Sequence, residues 1–370
     1  MQMHLSALNL YSVVIHNIIN NKGERVIISK RVILHLVGSP TDQFYCDLSR
    51  FYADNCIRAL ADPARYTFQI AYITPNKKWC FPASLDDADI TAAKALSLAE
   101  AVQVLSKQHI DIALPQMFCR SGMTDYRALL DLLNIPYVGN TPELMALTAD
   151  KAKAKAVVAA AGVVVPESEL LRLGDKPSFK PPVVVKPAQA DNSLGVTLVN
   201  TEAEYATALE MAFAESDEVL VERFIELGRE IRCGIIEKKG ELICLPLEEY
   251  RMDAQTHPIR AYSSKLTEDA QGGLAFAGKD STQTWLVNTD DPDITRVWEA
   301  AKLSHRALGC RHYSLFDFRI DSQGKPWFLE AGLYCSFAPK SVIPTMVKET
   351  GITLSAFFQQ MVDETLAKPK

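Results

Sequence analysis

Residues 183–196 read "VVVKPAQADNSLGV": three valines run into a lysine and a proline, and a small polar loop then closes on glycine. The β-branched run reads as a buried strand, so Lys186 stands where a charge needs a reason. Such a lysine can lay its stem along apolar surface and leave its ammonium in water. Alternatively, it is a fixed cation beside a loop whose backbone N–H groups cradle an anion. The loop suits the second use, because Asp191, Asn192 and Ser193 favour turns and Gly195 accepts conformations that other residues avoid. It is not a phosphate loop of the GxxxxGK[ST] type, and no GxGxxG follows a strand in this chain. A nucleotide bound here is bound by other means.

Outward from this stretch the pattern is that of a mixed α/β protein. Downstream, a strand over 196–200 leads to a helix opened by a capping box from Thr201 to Glu204. "DEVLVERFI" and "GREIRCGIIEKKGELICLPLEEY" follow as strands, the second turning at Lys239 and Gly240. Residues 251–283 are polar with few periodic signals and read as loops. A helix over 292–308, a strand pair in "YSLFDFRIDSQGKPWFLEAG" turning at Gln323 and Gly324, and a helical tail from about Ser341 complete the chain. Upstream, Thr141 with Pro142 starts one helix, Asp150 caps a second, and Gly162 before Pro166 ends it. Earlier still, "RVILHLVGSP", "YTFQIAYI", "DIALPQM" and "IPYVGN" read as strands between helices over 42–61, 90–107 and 122–134. Strands alternating with helices predict a parallel α/β domain over about 31–140. Residues 1–30 lack the basic start and cleavage site of a signal peptide and read as an extension or an additional hairpin.

The chain has 370 residues, 48% hydrophobic and 23% charged, as expected of a globular protein of two or three domains. Its formal charge is −6 and its 39 basic residues form no cluster, which argues against a nucleic-acid partner. No apolar run reaches the length of a membrane span. Eight scattered cysteines, with no CxxC pair and no zinc-type spacing, suit reduced thiols in the cytoplasm.

Two further stretches carry chemistry. "SLFDFRIDSQGKPWFLEAG" places Asp317 and Glu330 almost opposite one another on a hairpin that turns near residue 323. Solvated acids on an open sheet face would explain them, but Leu315, Phe316, Phe318, Phe328 and Leu329 surround them, and acids in buried strands need a partner. Two such carboxylates can share a hard cation together with bridging phosphate. In "VERFIELGRE", Glu222, Arg223, Phe224 and Ile225 end a buried strand whose backbone can meet a purine edge, and Glu230 can accept from ribose hydroxyls.

The ordered set "DKAKAK", "VVVKPAQADNSLGV", "VERFIELGREI", "RAYSSKL", "FDFRID", "FLEAG" and "SVIP" resembles the ATP-grasp superfamily, in its D-alanine–D-alanine ligase-like branch, over roughly residues 31–365. The resemblance implies a three-domain α/β (α+β) fold: an N-terminal domain over 31–145, a central lid domain over 146–221, and a catalytic domain over 222–370, with ATP held between the last two. It implies that Lys151 and Lys186 contact ATP phosphates, Glu222 to Ile225 hold adenine, and Glu230 holds ribose. Lys265 would reach the transferred phosphate, Ser193 would serve the reaction from its loop, and Asp317 and Glu330 would carry Mg2+. Lys340 with Ser341 falls near the place where the family anchors the acceptor carboxylate; a capped helix start with a solvated lysine would look the same.

The chain departs from the family pattern at three places. Leu315 replaces the arginine two positions before the metal-binding aspartate, Gly332 replaces the asparagine two positions after the glutamate, and "PQMFCRSGMTDY" replaces HGxxGEDG. The segments "DNSLGV", "ELGREIRCGII", "LPLEEY" and "AGLYCSFAPKSV" look like the ligases of mycosporine-like amino acid biosynthesis. That likeness implies small-molecule substrates, mycosporine-glycine and serine, threonine or a related amino acid, joined as an imine after ATP phosphorylates the cyclohexenone oxygen. A dipeptide or amino-acid ligase using an acyl phosphate is the alternative. Either is compatible with a homodimer.

Overall fold

The computed structural model describes residues 15–19, 25–190, 194–256, 258–260, 266–268, 274–276 and 283–367. Strand Arg31–Gly38 pairs in parallel with Tyr66–Ile73 on one side and Ile112–Pro115 on the other, with the short Trp79–Cys80 antiparallel at the edge. The expected parallel domain is therefore present. "IPYVGN" contributes only a bridge from Tyr137 to Ala113, since Pro136 has no N–H to extend a ladder. The helix expected over 90–107 is two, Asp87–Ala92 and Leu98–Leu105, divided where Leu96 pairs with Trp79 and Ser97 opens a new capping box with Glu100. The helix expected over 122–134 is likewise two, Arg120–Met123 and Asp125–Leu132, meeting at Thr124. Ile15–Ile19 and Arg25–Ser29 form an antiparallel pair, the hairpin read from the sequence.

A second sheet runs in the order Ser168–Arg172, Glu218–Arg223, Val183–Pro187, Thr197–Val199, all antiparallel. Side chains alternate between its faces. Val183, Val185, Val219 and Val221 pack with Tyr205, Ala208 and Ala212 around helix Tyr205–Phe213, forming a core of their own. Val184, Lys186 and Glu222 are left on the other face. The capping box from Thr201 to Glu204 sits on a single 3-10 turn ahead of that helix.

The third sheet runs Thr284–Leu286, Glu248–Tyr250, Arg229–Lys238, Tyr313–Ile320, Pro326–Gly332, with Glu241–Cys244 folding back on Arg229–Lys238. Ile231, Cys233, Ile235, Phe316, Phe318 and Phe328 form one face with helix Ile294–Leu308 behind it. This sheet shares its apolar packing with the N-terminal one: Ile33, Tyr66 and Ile112 are in one cluster with Ile236, Tyr313, Phe337 and Phe357. The N-terminal and C-terminal parts are thus cored together, whereas the central sheet is cored alone. The expected boundary at 145/146 falls inside helix Pro142–Thr148, and that at 221/222 inside strand Glu218–Arg223. The polar stretch 251–283 lies largely outside the described residues. No disulfide links the eight cysteines, and no helix among the described residues is long and apolar enough to cross a membrane.

Candidate functional site

One cavity lies between the free face of the central sheet and the polar face of the third sheet. Val184, Lys186 and Glu222 line it from one side and Asp317, Arg319 and Glu330 from the other, and Lys151 is also in its lining. Lys186 reaches this wall because it alternates with the core residues Val183 and Val185 on its strand, which ends at Pro187; Gly195, at the far side of the loop, has φ +67°. A Cβ at Gly195 would also sit 2.9 Å from the Pro187 ring.

On the central-sheet wall, Glu222 is held between two ammonium groups. Its Oε2 lies 2.7 Å from Lys186 Nζ and its Oε1 lies 2.8 Å from Lys155 Nζ. Burial would raise the Glu222 carboxyl, but the two lysines outweigh it and hold the group below the usual carboxylate range. Lys155 is only 2% exposed and also donates to the Phe328 carbonyl at 3.2 Å. Burial lowers its pKa to about 8 against the pull of Glu222. Lys151, at the first turn of helix Lys151–Ala160, donates its ammonium to the Ala190 carbonyl at the start of the loop. Both lysines assigned to phosphate contact are therefore at the cavity, and Lys155 was not singled out from the sequence. Its signal was the spacing in "DKAKAK", which puts Lys151 and Lys155 on one helix face.

The opposite wall is a charged ladder. Glu248, Arg232, Asp317 and Glu330 stand side by side across four strands, the last two directly opposite one another as the hairpin reading required. The next rung carries Tyr250, Glu230 and Arg319. Arg232 Nε donates to Asp317 at 2.7 Å, Arg260 lies 3.3 Å from the other Asp317 oxygen, and Arg319 pairs with Glu230 at 2.7 Å. Arg260 also packs 3.8 Å from the Tyr250 ring centre. Burial opposes the charge on Arg232, yet Asp317 holds its pKa well above the ordinary value. Arg232 was legible only as one of the alternating residues of "GREIRC", which share a face with Glu230.

Glu330 makes no hydrogen bond or ion pair among the described residues. A register shift after Asp317 lets the consecutive Leu329 and Glu330 both face the cavity, which strict alternation would forbid. The rung beyond Asp317 is apolar: Gly234, Leu315 and Gly332.

The purine segment is partly committed to the protein itself. Arg223 pairs with Glu167 at 2.8 Å, the Phe224 N–H donates to the Pro182 carbonyl, and the Ile225 carbonyl accepts from Arg319. Ile225, Val184 and Leu329 supply apolar walls, whereas Phe224 lies beneath Arg319 and does not line the cavity. Glu230 lies in the cavity lining but shares its carboxylate with Arg319. Lys340 is exposed and Ser341 pairs with the Ser336 hydroxyl at the start of helix Val342–Glu349; neither is among the lining residues. Ser193 and Lys265 lie outside the described residues.

Comparison with known proteins finds relatives over most of the chain. The profile of the D-ala D-ala ligase C-terminus family matches residues 167–363. A D-alanine–D-alanine ligase of Geotalea uraniireducens is 31% identical over 72% of this chain and 80% of its own length. The vancomycin B-type resistance protein VanB of Enterococcus faecalis is 30% identical over 69% and 73%. Among solved structures, the VanG D-Ala:D-Ser ligase of Enterococcus faecalis superposes with a TM-score of 0.73 at 21% identity, covering 90% of this chain and 99% of that one. The Bacillus anthracis D-alanine–D-alanine ligase complexed with ATP gives 0.65 at 22% identity, covering 91% and 97%. With the family profile over more than half of its length and relatives about 30% identical over some two thirds of it, the chain belongs to the D-alanine–D-alanine ligase family of ATP-grasp enzymes.

Proposed function

We propose that the chain uses ATP to phosphorylate an oxygen on one substrate and then joins the activated carbon to the amine of an amino acid. The C–N bond forms as the C–O bond to phosphate breaks, the amine loses a proton, and ADP and phosphate leave. The observation that carries this reading is the facing of two charge sets across one cavity, Lys151 and Lys186 on one side and Asp317 and Glu330 on the other. A triphosphate complements the first and a divalent cation the second. The ladder leaves charge for the cation to meet: Arg232 and Arg260 offset Asp317, whereas Glu330 beside it makes no ion pair among the described residues and feels the more distant ammonium of Lys155. Asp317 and Glu330 would hold magnesium with phosphate oxygens and water, and Gly332 adds no ligand. Bound there, the ion would neutralise charge on the phosphates.

For the electrophile, the relatives' named activities support a carboxylate activated as an acyl phosphate, as in D-alanine–D-alanine ligation. The structure adds support: although Leu315 stands where the family pattern has arginine, Arg232 and Arg260 bring guanidinium groups to Asp317 from neighbouring segments, where they could stabilise an oxyanion. A second reading, imine formation on mycosporine-glycine, rests on the apolar rung. Its delocalised cation is better tolerated beside Leu315 than beside an arginine. A Cβ at Gly332 would meet nothing within 4 Å, so glycine there answers no packing demand and leaves room for substrate. Incubation with ATP and magnesium, first with D-alanine and then with mycosporine-glycine plus a panel of amino acids, separates them. Dipeptide with ADP release supports the first reading and a new ultraviolet-absorbing imine the second. No ADP release with any substrate counts against a ligase.

Replacing Lys186 by methionine is expected to weaken ATP binding by about 3 kcal/mol, since a charge-assisted contact is lost in a partly desolvated cavity. Calorimetry giving wild-type affinity for both Lys186→Met and Lys151→Met would remove the nucleotide from this site. Lys340→Ala is expected to raise the Michaelis constant for the amino acid several-fold more than that for ATP. Equal changes in both would give Lys340 a general structural role, in keeping with its place outside the cavity lining.

A further inference from the structure

Glu222 poses a problem for a phosphate-binding lysine. A carboxylate 2.7 Å from Lys186 Nζ neutralises the very cation that a phosphate needs, and its own charge repels the phosphate. Lys155 meets the same carboxylate from behind, at 2.8 Å, without lining the cavity. It comes from helix Lys151–Ala160, and its second contact is the Phe328 carbonyl on the third sheet. One ammonium therefore ties the helix, the central sheet and the third sheet together at the base of the cavity.

We propose that Lys155 is a positioning residue that takes up the charge of Glu222 and so leaves Lys186 available to the nucleotide phosphates. The inference rests on the ATP reading of this cavity. With Lys155 present, the three groups carry a net single positive charge, and it is presented by the lysine that lines the cavity. Without Lys155, the remaining Lys186–Glu222 pair is neutral, and a buried carboxylate that has lost one of two cations draws Lys186 more tightly to itself. A phosphate then meets a dipole instead of a cation. The Phe328 contact fixes where Lys155 stands, so that Glu222 is met on the oxygen that Lys186 does not use.

The test is a cycle of four proteins, wild type, Lys155→Met, Glu222→Gln and the double variant, with the affinity for a non-hydrolysable ATP analogue measured by calorimetry. Lys155→Met is expected to weaken binding at least tenfold, whereas adding Lys155→Met to Glu222→Gln is expected to change it less than threefold, because the carboxylate that Lys155 pairs with no longer carries a charge, while Glu330, which acts on Lys155 electrostatically, is the same in all four proteins. A structural role alone would weaken binding equally in both backgrounds. Wild-type affinity in a folded Lys155→Met protein overturns the proposal. If Lys155→Met does not fold, the other three proteins still decide: a tenfold loss from Glu222→Gln to the double variant overturns it, and near equality supports it. Failure of the wild type itself to bind the analogue would overturn the ATP reading, and this inference with it.

Discussion

Glu330→Gln is expected to abolish turnover while leaving the fold intact. In the third sheet Glu330 faces Asp317 across the hairpin and makes no ion pair among the described residues, so neutralising it removes a like-charge repulsion and breaks no ion pair, at the loss of a longer-range attraction to Lys155. Stability should therefore be unchanged or slightly higher, within about 1 kcal/mol of wild type. Activity should behave oppositely. If Glu330 is one of two carboxylates that hold magnesium, its amide loses the charge that competes for the ion. Loss of several kcal/mol of electrostatic stabilisation corresponds to about a thousandfold in rate. Thermal unfolding and ADP release measured on one preparation check both halves. Full activity would sink the metal assignment, and loss of activity with a collapsed melting temperature would make Glu330 a folding residue.

The second large effect is expected at Leu315, and its sign separates the two electrophiles. Leu315 shares the strand face of Asp317 one rung beyond it, between Gly234 and Gly332; it lies outside the cavity lining and packs at the edge of the shared apolar cluster. For a guanidinium about 6 Å from a developing charge, an effective dielectric near 20 gives about 3 kcal/mol before screening, roughly a hundredfold in rate. In imine formation the charge opposes a developing cation, so Leu315→Arg should slow turnover by up to that factor. In acyl-phosphate chemistry it restores the arginine of the family pattern and should leave turnover level or raise it. Strain from the larger side chain is common to both readings, and Leu315→Met is the uncharged control. Imine formed equally fast by the arginine and methionine proteins would make Leu315 a packing residue. The ladder tempers the charge argument: Arg232 and Arg260 are already beside Asp317, but acids offset their charge, Glu248 and Asp317 on the first rung and Glu230 on the next.

Much of the site was legible because it is built on strands, where a period of two assigns faces once an apolar set is known. On the central sheet the run of three valines is apolar on both faces, so only the packing of Val183, Val185, Val219 and Val221 against the helix shows that Lys186 and Glu222 point the other way. The hairpin turn near residue 323 is enough to put Asp317 opposite Glu330. Element ends and breaks were less legible. The division of 90–107 at Leu96 comes from a backbone bridge to Trp79, a long-range contact with no local signature. The loss of the strand in "IPYVGN" depends on a proline whose missing N–H matters only once its neighbour is known.

By itself, then, the sequence determined the α/β alternation, the order of the motifs, the identities of Lys151, Lys186, Asp317 and Glu330, and the departures at Leu315 and Gly332. The alternation is a property of local periodicity, which a chain carries before it folds; the motif order, the site residues and the two departures follow from the resemblance to the family pattern. Tertiary structure alone decided how charges separated by tens of residues are paired: Lys155 with Glu222, Arg319 with Glu230, and Arg232 with Arg260 around Asp317. It also decided that the N-terminal and third sheets share one core while the central sheet keeps its own. The physical reason is that a buried charge is tolerated only where an opposite charge meets it, and which one meets it depends on strand register, on the bulge after Asp317 and on the crossing of elements, none of which is written in any single segment.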